Sequence, residues 1–363
     1  MSKPPPWRNP SAPAAPARPR AAALKSADTI VIATRGSALA LAQANQVLAQ
    51  CRAAFPRLKF ELKIIKTTGD KLQTASLSNP SPELPKGLFT KELEVALLEK
   101  QAHLAVHSLK DLPTELPAGL RLGAVGQRAD VRDVLLYRDP AQLAHLAKTQ
   151  PASEWRPGQR EKRGFPANTT LAALPAGAVV ATSSTRRRAH VLLLAPHLTT
   201  IEIRGNVPTR VQKLADDPAM DATILAAAGL ARLQFRIQPD GHLVGPGLPA
   251  GILATTLETD TMIPCVGQGA IGLEIRDCDE LAAAVCARLD HFNTHQCVLA
   301  ERAFLRAMGG GCASPVAAHA RVIGHLIHVR AISFTHATPR RAEGSRPVRE
   351  AAALGEELAR QLR

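Results

Sequence analysis

Aromatic side chains are scarce in this chain of 363 residues, because Phe, Trp and Tyr together make up 3% of it. The core must therefore be filled by Leu, Ala, Val and Ile, and little aromatic surface is left for stacking nucleobases. No apolar run approaches the roughly 18 residues that a membrane span requires. The N-terminus also lacks a secretory hydrophobic region, so we expect a cytoplasmic protein that binds no membrane.

Paired cysteines are missing as well. Six cysteines occur, but none forms a CxxC pair and none stands at a zinc-binding spacing from a histidine. Several fall within apolar helical patterns, where cysteine behaves as a small hydrophobic residue. We expect a reducing compartment and no metal site.

Positive charge is abundant, with a formal net charge of +14. Residues 1–27 carry five basic and no acidic residues, and residues 143–168 carry five basic and two acidic residues. Both segments are predicted to be unstructured from their Pro-rich or polar composition. The remaining excess lies in short arginine motifs at predicted strand ends, which suits a pocket for a small polyanion better than a nucleic-acid surface.

Short β-branched runs alternate with helical patterns along most of the chain. This alternation predicts an α/β fold with mainly parallel sheets and helices on both faces. The last segment is predicted to contain a helix that ends at a triple glycine, two strands and a final helix. The predicted units are a disordered extension at 1–27, a first domain at 28–127 plus 270–288, a second domain at 128–265 with an insertion at about 143–168, and a C-terminal domain at 292–363.

Three motifs share one design, in which a predicted strand ends and hydroxyl or arginine residues begin a helix. They are Thr34-Arg35-Gly36-Ser37, Thr182–Arg188 and Arg204–Arg210. Helix N-termini offer free N–H groups and partial positive charge, and arginine adds a fork suited to carboxylate or phosphate. In any one motif the hydroxyls could simply cap a helix and the arginines be solvated. Three such motifs, together with Arg232, predict one anion-binding cleft at the carboxyl ends of the strands.

Two further motifs carry candidate chemistry. In Ser108–Pro113, Asp111 follows a predicted strand, where it could hold a cation or transfer protons to an amine, or merely pair with Lys110. The Gly309-Gly310-Gly311-Cys312 turn presents a thiol with little side-chain bulk around it. Such a thiol suits covalent attachment, although a buried structural cysteine remains an alternative on these residues alone.

Taken together, the motifs resemble those of the porphobilinogen deaminase (hydroxymethylbilane synthase) family. The matching runs occur in family order and cover residues 29 to about 320: Ala33–Ala40, Lys86–Glu94, Ala105–Pro113, Thr182–Arg187, Arg204–Arg210, Val266–Ala270, Ala300–Ala303 and Gly310–Cys312. Departures from the family pattern stand at Gly309, at Ser314, in the helix at Asn293–Cys297, and in the loop before Lys86.

The resemblance implies two periplasmic-binding-protein-like α/β domains and a smaller C-terminal α+β domain that carries the cofactor cysteine. It implies a monomeric enzyme of tetrapyrrole (haem) biosynthesis that joins four porphobilinogen molecules head to tail into hydroxymethylbilane and releases ammonia. Polypyrrole intermediates would stay bound while the chain grows. The cofactor would be dipyrromethane, held by a thioether on Cys312.

The resemblance also implies a role for each candidate residue. Asp111 would be catalytic, through proton transfer at the amino leaving group and stabilisation of positive charge on the pyrrole. The cofactor would be bound by Lys110, Ser184, Arg186 and Arg187. Incoming substrate or the growing chain would be bound by Arg35, Ser37, Arg204, Arg210 and Arg232.

One alternative from a different class remains open at this stage. A non-catalytic two-lobed protein that binds anions would show the same helix-end motifs, but it would need neither Asp111 nor a reachable Cys312. A third hypothesis, that the protein binds nucleic acid, rests on its net charge alone.

Overall fold

The computed structural model describes residues 29–71, 89–149, 160–311 and 314–363. The N-terminal extension, the loop that contains Lys86, and Cys312 lie outside the described residues. Within the described ranges, no helix combines the length and the hydropathy needed to cross a membrane.

The first domain opens with parallel strands that are joined by helices. The part of the first domain that precedes the second domain in sequence has the elements β1 (Thr29–Arg35), α1 (Ala38–Ala54), β2 (Lys59–Ile65), α2 (Thr68–Lys71), α3 (Lys91–Leu98), β3 (Leu104–Ser108), a 3₁₀ turn (Leu109–Asp111) and β4 (Leu120–Val125). β1 pairs in parallel with β2 on one side and with β3 on the other. The carboxyl ends of β1 and β3 therefore lie at the same edge of the sheet.

The second domain repeats this design. Its elements are β5 (Asp133–Arg138), α4 (Pro140–Thr149), β6 (Val179–Ala181), α5 (Thr185–Leu194), β7 (Thr199–Ile201), α6 (Val207–Asp216), β8 (Ala222–Ala226), α7 (Ala227–Arg232), β9 (Arg236–Ile237), β10 (Leu243–Val244) and β11 (Ile252–Leu257). The main sheet has the order β11-β5-β8-β6-β7, and β5 is antiparallel to both of its neighbours. The strands β6, β7 and β8 are parallel, so their carboxyl ends share one edge.

The chain then returns to the first domain. β12 (Ile271–Arg276) inserts between β3 and β4, antiparallel to both, and α8 (Glu280–Leu289) follows it. All six residues of β12 are buried, as expected for an inner strand with helices on both faces. The first sheet therefore has the order β2-β1-β3-β12-β4.

The third domain packs two helices on a small antiparallel sheet. Its elements are α9 (Phe292–Ala307), β13 (Val316–Ile323), β14 (Leu326–Ser333), β15 (Arg340–Pro347), a 3₁₀ turn (Val348–Glu350) and α10 (Ala351–Leu362). Phe304, Val329 and Leu358 meet in its core. The predicted fold class, two α/β domains and a smaller α+β domain, is confirmed.

The number of strands predicted for the third domain is wrong. The third domain has three strands rather than two, because the polar run Arg340–Pro347 pairs along the whole of β14. Its sequence has no β-branched or aromatic residue, so strand pairing rather than local propensity decides its conformation. The residue boundaries of the domains stay predictions.

The prediction that residues 143–168 of the second domain are unstructured is wrong in part. Residues up to Thr149 belong to the exposed helix α4. Arg163 donates a 2.9 Å hydrogen bond from Nε to the buried carboxylate of Asp221, and the Phe165 ring packs edge-on against Tyr137. These contacts give the segment a fixed place on the domain, although residues 150–159 lie outside the described ranges.

Candidate active site

The turn that follows β3 carries Lys110 and Asp111 at the edge of the first sheet. Ser108, the last residue of β3, bonds through Oγ with the side-chain amide of Gln43 in α1, with an Nε2–Oγ distance of 2.8 Å. The helix α1 begins at the same edge, where Ser37 Oγ accepts a 3.3 Å hydrogen bond from the N–H of Ala40. The two strand-end motifs of the first domain are thus brought together.

The turn packs directly on the segment that returns from the second domain. The N–H of Leu109 donates to the carbonyl of Ala270 at 3.1 Å. Gly267 has a φ of +70°, and a Cβ placed there would lie 3.2 Å from the backbone of Leu109 and Lys110. Glycine is required at this position both by its left-handed backbone and by this close approach.

In the second domain, two consecutive arginines bind one buried carboxylate. Ser184 caps α5 by accepting from the N–H of Arg187 at 3.4 Å, which places both arginines in the first helical turn. Arg186 Nη2 lies 2.8 Å from Asp133 Oδ2, and Arg187 Nη2 lies 2.7 Å from Oδ1. The Asp133 side chain is fully buried.

The balance of charges keeps this carboxylate ionised. Burial alone would raise the pKa of Asp133, but the charges and hydrogen bonds of Arg186 and Arg187 hold that pKa well below its ordinary value. Gln268, in the returning segment, also donates to Asp133 at 3.0 Å. Two positive charges thus surround one negative charge, so the group keeps a net positive charge for an anionic ligand.

A second group of arginines stands beside this pair. Arg210 Nε donates to the carbonyl of Gly205 at 2.7 Å. Burial, together with the nearby charges of Arg187 and Arg204, lowers the pKa of Arg210 to about 10, and the charge of Asp111 opposes this shift. The last contribution shows that Asp111 of the first domain and the arginines of the second domain share one electrostatic environment.

Lys110 and Arg204 complete this group. Burial lowers the pKa of Lys110, the charge of Asp111 opposes that shift, and the charge of Arg187 adds to it. In Arg204, Nε and Nη2 are buried and have no hydrogen-bond partner within the described residues. Because such donors are costly to leave unpaired, they indicate a place for a ligand oxygen.

Arg35 and Ser37 lie at the end of β1, and Arg232 is the last residue of α7. The Arg35 guanidinium lies 4.2 Å from the centroid of the Phe89 ring, a cation–π contact. Arg232 Nη2 donates to the carbonyl of Gly269 at 2.7 Å, and burial lowers the pKa of Arg232 to about 10. A Cβ on Gly229 of α7 would lie 4.0 Å from Leu39, so α7 faces α1 across the two domains.

The glycine turn after α9 is described on both sides of Cys312, which itself lies outside the described residues. Gly309 has a φ of +69°, a left-handed conformation that favours glycine at a helix end. The N–H of Gly311 donates to Ser314 Oγ at 3.1 Å. Ser314, which departs from the family pattern, therefore bonds across the turn that carries Cys312.

Sequence reasoning missed Asp133 and Cys265. Asp133 precedes the apolar run of β5, and an acidic residue that continues a buried strand was the available signal. Burial raises the pKa of the Cys265 thiol, and the charges of Arg186 and Lys110 oppose this shift. Cys265 therefore lies beside the site and stays protonated at neutral pH, so it is a poor nucleophile.

Comparison with protein families gives a match over nearly the whole chain. The sequence model described as "Porphobilinogen deaminase, dipyromethane cofactor binding domain" matches residues 30–284. The model described as "Porphobilinogen deaminase, C-terminal domain" matches residues 295–363.

Individual relatives agree with this match. The porphobilinogen deaminase of Thermus thermophilus is 39% identical over 341 residues, which cover 92% of this chain and 95% of that protein. The porphobilinogen deaminase of Desulforudis audaxviator is 40% identical over 335 residues, or 92% of this chain and 94% of that protein. Among solved structures, the effector-binding domain of BenM with benzoate aligns with a TM-score of 0.37 and 13% identity, over 72% of this chain and 90% of that chain.

Proposed function

The chain belongs to the porphobilinogen deaminase family, and we propose that it acts as a hydroxymethylbilane synthase, which joins four porphobilinogen molecules head to tail and releases ammonia at each step. The observation that carries this proposal is the shared environment of Asp111, Lys110, Arg187 and Arg210. It places one carboxylate among basic side chains of two domains. A substrate with an amine and two carboxylate arms needs both kinds of group.

The matched cofactor-binding domain makes dipyrromethane the cofactor of this family. Lys110, Ser184, Arg186 and Arg187 would hold its acid side chains, and Cys312 would carry it through a thioether. Arg186 fits this role because its Nε is buried without a hydrogen-bond partner among the described residues, while its Nη2 stays on Asp133. When bound, dipyrromethane supplies the pyrrole end to which the first substrate is added.

Incoming substrate and the growing chain would be bound by the remaining basic residues. Arg204 Nε and Nη2 are buried without a hydrogen-bond partner among the described residues, and Nη2 lies 3.9 Å from the Glu202 carboxylate. Arg210 is close enough to Arg187 and Arg204 for their charges to lower its pKa. Arg35 ends β1, Ser37 follows that strand and Arg232 ends α7, and these residues would bind the acid arms of further pyrrole units. Guanidinium groups suit this work because they bind carboxylates through two parallel hydrogen bonds.

Asp111 would act on the reacting nitrogen and on the positive charge that follows. The substrate amine leaves as ammonia, so a proton must be present on that nitrogen, and positive charge develops on the pyrrole ring left behind. A fixed carboxylate beside that ring stabilises the developing charge and can accept or return the proton. The positive charges of Lys110 and Arg210 repel a cation from their parts of the cleft. Asp111 is therefore the group suited to stabilise the cationic pyrrole.

Incubation of the purified full-length protein with porphobilinogen tests this function. An enzyme releases ammonia in step with the loss of porphobilinogen and forms hydroxymethylbilane, which closes with loss of water to uroporphyrinogen. Uroporphyrinogen is then oxidised with added benzoquinone to uroporphyrin, which is read by absorbance. A two-lobed binding protein would bind porphobilinogen without releasing ammonia, and that result would overturn the proposal. Action as a cytoplasmic monomer without nucleic acid remains a prediction from the sequence.

A further inference from the structure

The run Ala300–Ala303 lies on α9 in the third domain, which packs against the turn after β3. Arg302, in the middle of the run, is 9% exposed. Its Nη1 donates to the carbonyl of Leu112 at 3.0 Å, and its Nη2 donates to the carbonyl of Pro113 at 2.6 Å. An arginine of the third domain therefore binds the backbone immediately after Asp111.

These bonds hold one end of the turn that carries Lys110 and Asp111. The other end is held by Ser108 through Gln43, and Leu109 is held by the carbonyl of Ala270. Asp111 lies between these attachments and Arg302. Because the Leu112 and Pro113 carbonyls are adjacent, one planar guanidinium binds both, whereas a lysine ammonium has no matching fork.

The residue before Arg302 fixes the surface on which this turn packs. Glu301 is fully buried, and its Oε2 accepts from the N–H of Gly267 at 2.8 Å. Gly267 is the residue that approaches the backbone of Leu109 and Lys110. Consecutive residues of α9 thus hold both the turn and its support, and the same helix leads into the glycine turn that carries Cys312.

We propose that Arg302 is a positioning residue for the reaction, which holds the backbone after Asp111 so that the Asp111 carboxylate keeps a fixed place in the cleft. This inference rests on the proposed catalytic role of Asp111. It assigns to the third domain a part in the chemistry that is separate from carrying the cofactor. Loss of such positioning lowers the rate of the chemical step and spares binding of the substrate arms, which other residues hold.

The test compares Arg302→Ala and Arg302→Lys with Arg306→Ala. Arg306 lies one turn further along α9, and its ion pair with Glu356 is on the surface. For each protein, intact mass gives the fraction that carries cofactor, and kcat is expressed per cofactor-bearing molecule. For Arg302→Ala we expect kcat to fall by about a hundredfold, the cost of a misplacement near 1 Å, with an unchanged KM for porphobilinogen. The kcat of Arg302→Lys should lie between those of Arg302→Ala and wild type, and the kcat of Arg306→Ala should equal that of wild type.

Chemical rescue separates positioning from a general loss of structure. Millimolar guanidinium should restore part of the kcat of Arg302→Ala, whereas sodium at equal ionic strength should not. A purely structural role would lower the thermal midpoint and leave kcat per cofactor-bearing molecule at the wild-type value, and this result would overturn the inference. If Arg302→Ala fails to fold, Arg302→Lys provides the test. A wild-type kcat per cofactor-bearing molecule in Arg302→Lys would also overturn the inference.

The double variant Asp111→Asn/Arg302→Ala separates this inference from the function on which it rests. If Arg302 acts through Asp111, the second substitution adds little to the loss caused by the first. Absence of porphobilinogen turnover in the wild-type protein would remove the proposed function itself, whereas wild-type turnover in Asp111→Asn would remove the catalytic role of Asp111 on which this inference rests. An inactive Asp111→Asn together with wild-type kcat in Arg302→Ala would remove only the role of Arg302.

Discussion

Arg187 donates two hydrogen bonds to a single oxygen of Asp133, from Nε at 3.1 Å and from Nη2 at 2.7 Å. Arg186 binds the other oxygen of the same carboxylate. This relationship gives two adjacent arginines one fixed orientation at the start of α5. The pair is therefore held in place before any ligand arrives, which lowers the entropic cost of binding an acid side chain.

Asp133→Asn should weaken both stability and cofactor retention. The amide preserves the shape of the side chain but leaves two buried guanidinium groups without a counter-charge, so we expect a loss of about 3 kcal/mol in the free energy of unfolding. Denaturant unfolding measures this loss, and intact mass measures the cofactor. Asp130→Asn is the matched control, because Asp130 is exposed and pairs with Arg132 at the surface. Equal stability of the two variants would refute the role given to Asp133.

The burial of His190 predicts a loss of stability in mild acid. Its ring is fully buried, with Nδ1 3.0 Å from the carbonyl of Arg186, and burial lowers the pKa of His190 to about 4. The folded state therefore resists protonation, while the unfolded chain takes up a proton near its ordinary pKa of about 6.5. Stability is complete above that pH and is lost as the pH falls toward 4, by about 2 kcal/mol at pH 5.

Unfolding free energies at pH 7 and pH 5 test this account of His190. The difference between the two pH values should be smaller in His190→Gln than in wild type. His145→Gln should leave the difference unchanged, because His145 is exposed on α4. An unchanged pH dependence in His190→Gln would mean that other groups cause the acid sensitivity. Asp133 is not such a group between pH 7 and pH 5, because its carboxylate is ionised there both in the folded protein and, with an ordinary pKa of about 4, in the unfolded chain.

Asp111→Asn should abolish turnover without loss of the fold. The amide fills the same space but cannot stabilise positive charge or accept a proton, so kcat should fall by more than about a hundredfold. The cofactor should remain attached, as read by intact mass. Glu115→Gln provides the control, because Glu115 is an exposed acid four residues further along. Near-normal kcat in Asp111→Asn would contradict the catalytic assignment.

Arg204→Ala should impair substrate binding more than chemistry. The substitution removes the buried Nε and Nη2, which have no hydrogen-bond partner among the described residues, and with them the proposed bonds to a substrate carboxylate. A charged hydrogen bond is worth enough that its loss should raise the KM for porphobilinogen by about tenfold or more. Arg236→Ala should leave KM unchanged, since Arg236 is exposed. A wild-type KM in Arg204→Ala would show that the substrate arms bind elsewhere.

Local features of the site could be predicted from the sequence because they depend on neighbouring residues. Ser37 and Ser184 cap their helices as short-range hydroxyl motifs do, and the strand before each motif follows from β-branched runs. The rule that parallel strands end at one sheet edge predicts that Arg187 and Arg210, which follow the paired strands β6 and β7, lie close together. The resemblance to one family then gave each residue a role.

The contacts that hold the site could not be predicted in this way. Asp133 meets arginines 54 positions away, and Arg302 meets a carbonyl 190 positions away. No periodicity specifies such partners, because they depend on how three domains pack. Strand β15 was missed for a related reason, since its polar sequence takes its conformation from the register with β14. A charged residue within an apolar pattern is the sequence signal that can still mark a residue with a distant partner. Asp133, Glu301 and Arg302 all show this signal.

The mass of the intact purified protein tests the central claim most directly. If Cys312 anchors dipyrromethane, the wild-type protein carries the mass of two linked pyrrole units, located on Cys312 by peptide mapping, and Cys312→Ser carries none. A wild-type protein that has the bare polypeptide mass, and keeps it after incubation with porphobilinogen, would contradict the account.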